Sequence, residues 1–304
     1  MDLITGALLL AGAFNLLLAG IILFHAPHTR ANVSYAVLVL CLLAWIGAIV
    51  ALRLAASPPI LFTALAASYT SGLGIALSFW YFAAFFTGRR LHALTQVAVI
   101  SGALLVSWQV WMSPHFIEAI SGSPGTLSLH IGRYGWVFFA YFAVVMADAF
   151  RSLGLRYRAS NGDRRAQLSA ILLGTLGTTA LGATFNVVLV QAGDASYIGW
   201  GPVSTILMVA FIAYAIVRHH LMSIHLVTAE LFTFGLILSL VLNFMVSPNG
   251  VSRLMEAVTL QLAIGFGTYV IRAALRDARE RDPERGDTSD RSSRKQRDRS
   301  LNEA

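Results

Sequence analysis

Charged residues are scarce in this chain. They make up 12% of its 304 residues, and 57% of the residues are hydrophobic. About a quarter of an average soluble protein is charged, and the mean hydropathy here is +0.68. So small a charged fraction excludes a chain that folds mainly in water, and it indicates that the lipid bilayer is the main solvent of the apolar side chains.

Cysteine and familiar catalytic motifs are also scarce. The single cysteine, Cys41, excludes an internal disulfide and a cysteine-based metal site. The sequence has no phosphate-binding glycine loop, no HExxH and no GxSxG, so it predicts no catalytic residue, no cofactor and no metal centre. The first apolar run is preceded by no basic residue. We therefore expect a retained first helix rather than a cleaved signal peptide.

Nine apolar runs are long enough for a helix to cross about 30 Å of hydrocarbon, which takes about twenty residues. The sequence therefore predicts an all-α fold, a polytopic integral membrane bundle of about nine transmembrane helices. The predicted spans are 3–24, 33–52, 60–86, 94–112, 134–150, 168–190, 200–217, 227–246 and 253–271.

The arginines predict the orientation of these spans. With the N-terminus outside, nine arginines lie in cytoplasmic segments and three in outer segments, before the C-terminal tail is counted. Because cytoplasmic loops are enriched in positive charge, we expect the N-terminus outside and the C-terminus in the cytoplasm. The cytoplasmic set is Arg30, Arg89, Arg90, Arg151, Arg156, Arg158, Arg164, Arg165 and Arg218, and the outer set is Arg53, Arg133 and Arg253.

The formal net charge of +7 does not indicate a nucleic-acid partner. Most of it comes from arginines at predicted helix ends. Residues 276–304 hold nine basic and eight acidic residues and almost no apolar ones, which predicts a largely disordered cytoplasmic tail. Its basic cluster RSSRKQRDR could bind anionic lipid or nucleic acid, although a solvated tail is the simpler interpretation.

Two connections between the predicted spans are distinctive. The outer connection at 113–135 is rich in Ser, Gly and Pro and too short for a folded periplasmic sensor domain, so any signal is expected at the outer mouth or within the helices. Residues 151–167, RSLGLRYRASNGDRRAQ, form the most basic predicted cytoplasmic loop. It is interpreted as an orientation signal that contacts lipid head groups, with a partner-docking surface as the alternative.

The stretch 197–224, YIGWGPVSTILMVAFIAYAIVRHHLMSI, begins with a Gly-Pro pair and ends its apolar run with one arginine and two histidines. Pro202 suits a first helical turn. The stretch resembles the last helix of the seven-transmembrane input region found at the N-terminus of bacterial sensor histidine kinases. The resemblance covers about residues 10–224. It includes Asn32 at the start of the second span and Trp45 within it, GRR after the third span, RRAQL leading into the sixth, and LGTLGTTALGATFN within the sixth.

The resemblance implies a sensory or signal-coupling module of the bacterial inner membrane. It divides the chain into a seven-helix region (1–224), an additional helix pair (225–275) and the tail (276–304). The residues after 271 contain no histidine and are too few for a kinase domain, so we expect no kinase or other enzymatic activity. The implied partners are the lipid bilayer, a separate kinase or other signalling protein, and a second copy of the chain.

Small residues recur at intervals of four in the first and sixth spans, and each series includes an asparagine, Asn15 or Asn186. This spacing keeps the positions on one slowly drifting helix face, and small residues let helices approach closely in lipid. The asparagines either bond to neighbouring helices or contribute to an intramembrane ligand pocket. The predicted packing positions are Ala7, Ala11, Ala170, Gly174, Thr178 and Gly182.

Tryptophan in the spans permits an aromatic pocket for a hydrophobic ligand, but interfacial or packing roles explain the same residues. The candidate ligand-binding residues are Asn15, Trp80, Trp108, Asn186 and Trp200. In the outer connections, His115 and Glu118 with His130 and Asp194 form a weak alternative metal set.

Few acidic residues lie in or near the predicted spans, and each of them is close to a span end. Asp148 and Glu230 could pair with Arg151 or Arg218, and Glu256 lies one turn from Arg253. A charge in mid-bilayer is costly, so these positions favour ion pairing over a proton relay. A small transporter or lipid-handling protein is nevertheless the alternative function, and an assembly subunit without a ligand is a third.

Overall fold

The computed structural model describes residues 3–25, 29–55, 57–121, 128–192, 195–208 and 211. The remainder of the seventh predicted span, the eighth and ninth spans, Glu230, Glu256 and the tail lie outside this part of the chain. The described part is a helical bundle with one short hairpin. Its elements are α1 (Leu3–His25), α2 (Arg30–Leu54), α3 (Pro58–Thr87), α4 (Ala93–Met112), β1 (Ile117–Ser121), β2 (Ser128–Ile131), α5 (Gly135–Arg158), α6 (Gly162–Ala183), a π-helical turn (Thr184–Val188), α7 (Leu189–Gln191) and α8 (Trp200–Val203).

The helix ends follow local sequence signals. The Thr29 side chain caps α2 by accepting a hydrogen bond from the backbone N–H of Asn32 at 3.2 Å. Prolines open α3, where a missing N–H costs little. Gly88 ends α3 with φ +74°, a left-handed conformation that glycine adopts without strain.

Five helices in the described part are long and apolar enough to cross a membrane: α2, α3, α4, α5, and α6 with its continuation to Gln191. Their bounds agree with the predicted second, third, fourth and sixth spans to within six residues, and α1 agrees with the first. The apolar runs therefore predict these helices well, because the hydrocarbon thickness sets their length.

The prediction of a long basic loop at 151–167 is wrong. Helix α5 continues to Arg158 and α6 starts at Gly162, so only residues 159–161 connect them. The apolar run marks only the part of a helix that fits in hydrocarbon, whereas a helix can continue into the polar interface. Leu153, which is fully buried within this extension, keeps α5 packed beyond its apolar run.

The connection at 113–135 contains the antiparallel hairpin β1–β2, in which Ala119 faces His130 and Ser121 faces Ser128. Phe116, just before β1, is fully buried, and its ring lies 5.2 Å from that of Tyr69 in α3. The hairpin is thus fixed to the bundle. We call this end the hairpin end, and the opposite end, at the C-termini of α3 and α5 and the N-terminus of α6, the basic end.

Helix α8 starts at Trp200, and Pro202 lies in its first turn as predicted. A turn at Ser204 separates it from a further helical stretch at 205–208. The predicted span 200–217 is therefore interrupted near its start. At this point the Ser204 and Thr205 hydroxyls donate to the backbone carbonyls of Gly201 and Pro202.

Candidate functional site

A cavity of about 300 Å³ lies between α2, α3, α5, α6 and the chain around α8. This volume is at the lower end of the range typical of small-molecule sites. The residues of the described chain that line it include no charged side chain. The cavity is thus suited to a neutral occupant.

One wall of the cavity is aromatic. The ring of Tyr69 meets that of Phe138 edge to face, with centroids 4.9 Å apart, and Phe142 stacks 6.1 Å from Phe138. Phe79 of α3 and Phe139 of α5 also line this wall. The Tyr69 side chain is buried, yet its hydroxyl makes no hydrogen bond within the described chain.

The opposite wall is a polar stripe on α6 and its π turn. Thr175, Thr178, Thr179 and Asn186 recur at helical spacing and all line the cavity. Thr175 donates to the carbonyl of Ile171 at 2.6 Å. The Thr179 hydroxyl has no hydrogen-bond partner in the described chain, so part of this stripe is available to an occupant.

The same stripe joins α6 to the chain around α8. Thr178 donates to the carbonyl oxygen of Ser204 at 3.0 Å, and the Ser204 hydroxyl donates back to the carbonyl of Thr178 at 3.3 Å. One turn earlier, a Cβ on Gly174 would lie 2.8 Å from the Cβ of Phe211 and 3.2 Å from the Cα of Met208. The absence of a side chain at Gly174 is therefore what lets the two backbones approach.

Asn186 lies where the stripe meets α8. Its amide nitrogen donates to the carbonyl of Gly182 at 3.2 Å, and a Cβ on Gly201 would collide with this amide. Its Oδ1 accepts no hydrogen bond within the described chain. Asn186 thus contacts α8 and also offers an acceptor at the cavity.

Asn15 joins α1 to the chain after α8. Its Nδ2 donates to Thr205 Oγ1 and to the Ala11 carbonyl, both at 2.8 Å. Asn15 and Thr205 are fully buried, and Asn15 Oδ1 accepts no hydrogen bond from any residue that the structure describes. Asn15 therefore bonds to a neighbouring helix, which is one of the two roles that the sequence predicts for it.

A charged cluster holds the basic end together. One carboxylate oxygen of Asp148 accepts hydrogen bonds from Trp80 Nε1 at 2.8 Å and Arg89 Nη1 at 2.6 Å. The other accepts from Arg151 Nη2 at 3.0 Å. Arg89 also donates to Ser152 Oγ at 2.7 Å. The predicted pairing of Asp148 with Arg151 is confirmed, and the cluster joins α5 to the end of α3.

Arg164, from the RRAQL motif, joins α6 to the same end of α3. Its Nη2 donates to the carbonyl of Phe86 at 2.7 Å, and its guanidinium carbon lies 4.2 Å from the centroid of the Phe86 ring. The C-terminal carbonyls of a helix have no intrahelical partner. Arg164 therefore satisfies one of them in α3.

The predicted ligand-binding residues are dispersed through the bundle. Asn186 lines the cavity, whereas Asn15, Trp80, Trp108 and Trp200 do not. Trp80 belongs to the charged cluster, Trp200 begins α8, and Trp108 is 65% exposed on α4. A ligand role for these residues stays a prediction.

The predicted packing positions mostly lie at contacts between helices. Ala11 and Ala170 are buried, and Gly174 and Thr178 contact the chain around α8. Gly182 lines the cavity, where a Cβ added to it would lie 3.8 Å from the Trp45 side chain. Ala7 is partly buried in α1.

The aromatic wall is the part of the site that sequence reasoning missed. Phe138, Phe139 and Phe142 are spaced to lie on one side of α5, which was the available signal. Among the residues that the structure describes, no three or more potential metal ligands lie together. Asp194, the fourth member of the alternative metal set, lies outside the described chain.

Comparison with known proteins identifies the family. No curated protein and no solved structure is significantly similar to the chain. The family model for the N-terminal 7TM region of histidine kinase matches residues 7–225, a sensory region rather than a catalytic one, and no kinase domain is detected. The chain thus belongs to the family of N-terminal seven-transmembrane regions of histidine kinases, and it is a multi-pass membrane protein.

Proposed function

We propose that this protein is a sensory input module of the bacterial inner membrane that passes a signal to a separate protein. In this proposal the seven-helix region 1–224 receives the signal. The pair 225–275 completes nine spans with the N-terminus outside, and the tail 276–304 lies in the cytoplasm. Family membership and the arginine distribution support the proposal.

The observation that carries the proposal is the double role of α6. One stripe on this helix lines the cavity and also bonds to the chain around α8 through Thr178 and Ser204. A ligand that fits one arrangement of this joint better than another would shift the population between the two. The seventh span starts at this joint, so it would carry the change toward the cytoplasmic side.

In this proposal the output lies in a partner protein, and the family match to an input region supports a role upstream of that partner. We expect a separate kinase or another signalling protein, bound by the basic end or by the tail 276–304, and a second copy of the chain as a further partner. A nucleic-acid partner is not expected, since the nine basic residues of the tail are balanced by eight acidic ones.

Native mass spectrometry of the gently purified protein tests the proposal, because it reports bound ligand, partner and stoichiometry together. We expect a stoichiometric partner that is lost when residues 276–304 are replaced by a Gly/Ser segment of equal length. The proposal is wrong if no partner is found and the replacement leaves the phenotype of the cell unchanged. Substrate uptake by reconstituted vesicles would instead support a transporter.

A further inference from the structure

We propose that the cavity between α3, α5 and α6 binds a neutral, mostly apolar small molecule that carries a hydroxyl or carbonyl group. This inference names the class of ligand for the sensory site and rests on the proposed function. It depends on three properties of the cavity: its charge, its polar groups and its shape.

The described lining of the cavity is unfavourable for an ionic ligand. The described residues that line the cavity include no Asp, Glu, Lys, Arg or His. Moving an ion from water into an apolar site is costly unless an opposite charge or several hydrogen bonds compensate. A phosphate, carboxylate or ammonium group would find no charged partner on these walls.

The unused hydrogen-bonding groups of the lining predict a polar head. The hydroxyls of Ser68, Tyr69 and Thr179 and the Oδ1 of Asn186 line the cavity and make no hydrogen bond within the described chain. Unpaired polar groups in a low-dielectric interior are unfavourable. A ligand hydroxyl could donate to Asn186 and accept from Tyr69 or Thr179, and a ligand carbonyl could accept from Tyr69 or Thr179.

The aromatic wall predicts the remainder of the ligand. The same cavity is lined by the aromatic rings of α3 and α5 and by the threonine stripe of α6. The rings are those of Tyr69, Phe79, Phe138, Phe139 and Phe142. Aromatic side chains offer large apolar contact areas, and the cavity opens within a bundle that lies in hydrocarbon. An unsaturated chain or a ring system would therefore contact the wall while its polar head meets α6.

A matched set of isoprenoids provides the probe. The purified full-length protein in nanodiscs is labelled with a diazirine derivative of farnesol, and unlabelled farnesol, farnesene and farnesyl phosphate compete. These molecules share one chain and differ in a neutral polar head, no head and a charged head. We expect labelling of α3, α5 and α6. Farnesol should compete at a concentration about three- to tenfold below that of farnesene, as one or two extra hydrogen bonds predict, and farnesyl phosphate should compete least.

Two glycine variants locate the binding. Gly182 lines the cavity and has room for a Cβ, with Trp45 at 3.8 Å, so Gly182→Leu should fill the cavity and abolish labelling. Gly47 is exposed on α2 and has nothing within 4 Å of a Cβ, so Gly47→Leu should label as the wild type does. Thr179→Val, which keeps the side-chain shape, should weaken farnesol competition about threefold and leave farnesene unchanged.

Three results would overturn the inference: farnesyl phosphate competing as well as farnesol, Gly182→Leu retaining full labelling in a folded protein, or no saturable labelling at all. If Gly182→Leu does not fold, Thr179→Val decides, because a farnesol preference unchanged by this variant also overturns the inference. These assays need no signalling partner. A protein that binds farnesol as expected but has no partner would therefore contradict the proposed function alone.

Discussion

The two sides of the bundle are held together by different chemistry. At the basic end, the Asp148 carboxylate accepts hydrogen bonds from two guanidinium groups and an indole. Around the cavity, the helices meet through neutral hydroxyl and amide groups, as at Thr178 and Ser204. Hydrogen bonds to charged groups contribute more than neutral ones. The basic end is therefore expected to be the fixed side, and the cavity side the one that can rearrange.

Breaking the charged cluster should have the largest effect. Asp148→Asn removes the charge that both arginines bind, and we expect unfolding free energy in micelles to fall by about 2 kcal/mol. Because the two side chains of the Arg89 pair remain 31% and 27% exposed, this loss is below the value for a fully buried pair.

The adjacent arginines supply a matched control for this prediction. Arg89→Gln should cost about 1.5 kcal/mol, whereas Arg90→Gln should cost less than about 0.5 kcal/mol, since Arg90 is exposed. Equal losses in these two variants would show that net charge at the basic end matters and that the cluster does not.

Overpacking the joint between α6 and α8 should have a smaller effect. In Gly174→Val the new Cβ must displace Phe211 and the backbone at Met208, so we expect a loss of about 1.5 kcal/mol in unfolding free energy. Gly154→Val is the control, because nothing lies within 4 Å of a Cβ there. Similar losses in both variants would argue against a close contact at Gly174.

Removing the neutral hydrogen bonds should have the smallest effect. Thr178→Val and Ser204→Ala each remove one hydroxyl that donates to a backbone carbonyl across the joint, and each should lower the unfolding free energy by about 0.6 kcal/mol, which is typical of side chains bonded between membrane helices. These losses should not change with salt, while the effect of Arg89→Gln should decrease at high salt. Losses near zero in both variants would mean that the two hydroxyls do not join the helices.

The sequence predicts the described helices because hydrophobic length is a local property. It fails at the end of α5, where Arg151, Arg156 and Arg158 end the apolar run but not the helix. Arginine is a good helix former. An arginine after an apolar run therefore marks the edge of the hydrocarbon region and does not mark the end of the helix.

The site was harder to predict because it depends on contacts between distant positions. Pairing of Asp148 with Arg151 follows from a separation of three residues along one helix. Asp148 also bonds to Trp80 and Arg89, which lie 68 and 59 residues away in the sequence. No periodicity in the sequence indicates these two contacts. Similarly, the spacing on α6 predicts a stripe that includes Asn186 but not the aromatic wall opposite, which depends on how α3 and α5 are rotated.

The π turn at Thr184–Val188 has a consequence for comparing relatives of this protein. A π turn holds one residue more than an α turn, and each α-helical residue turns the chain by about 100°. Relatives that form a regular helix here should therefore carry a one-residue gap in this stretch when aligned. Without that gap, residues 189–191 at the end of this helix would be matched to the wrong face.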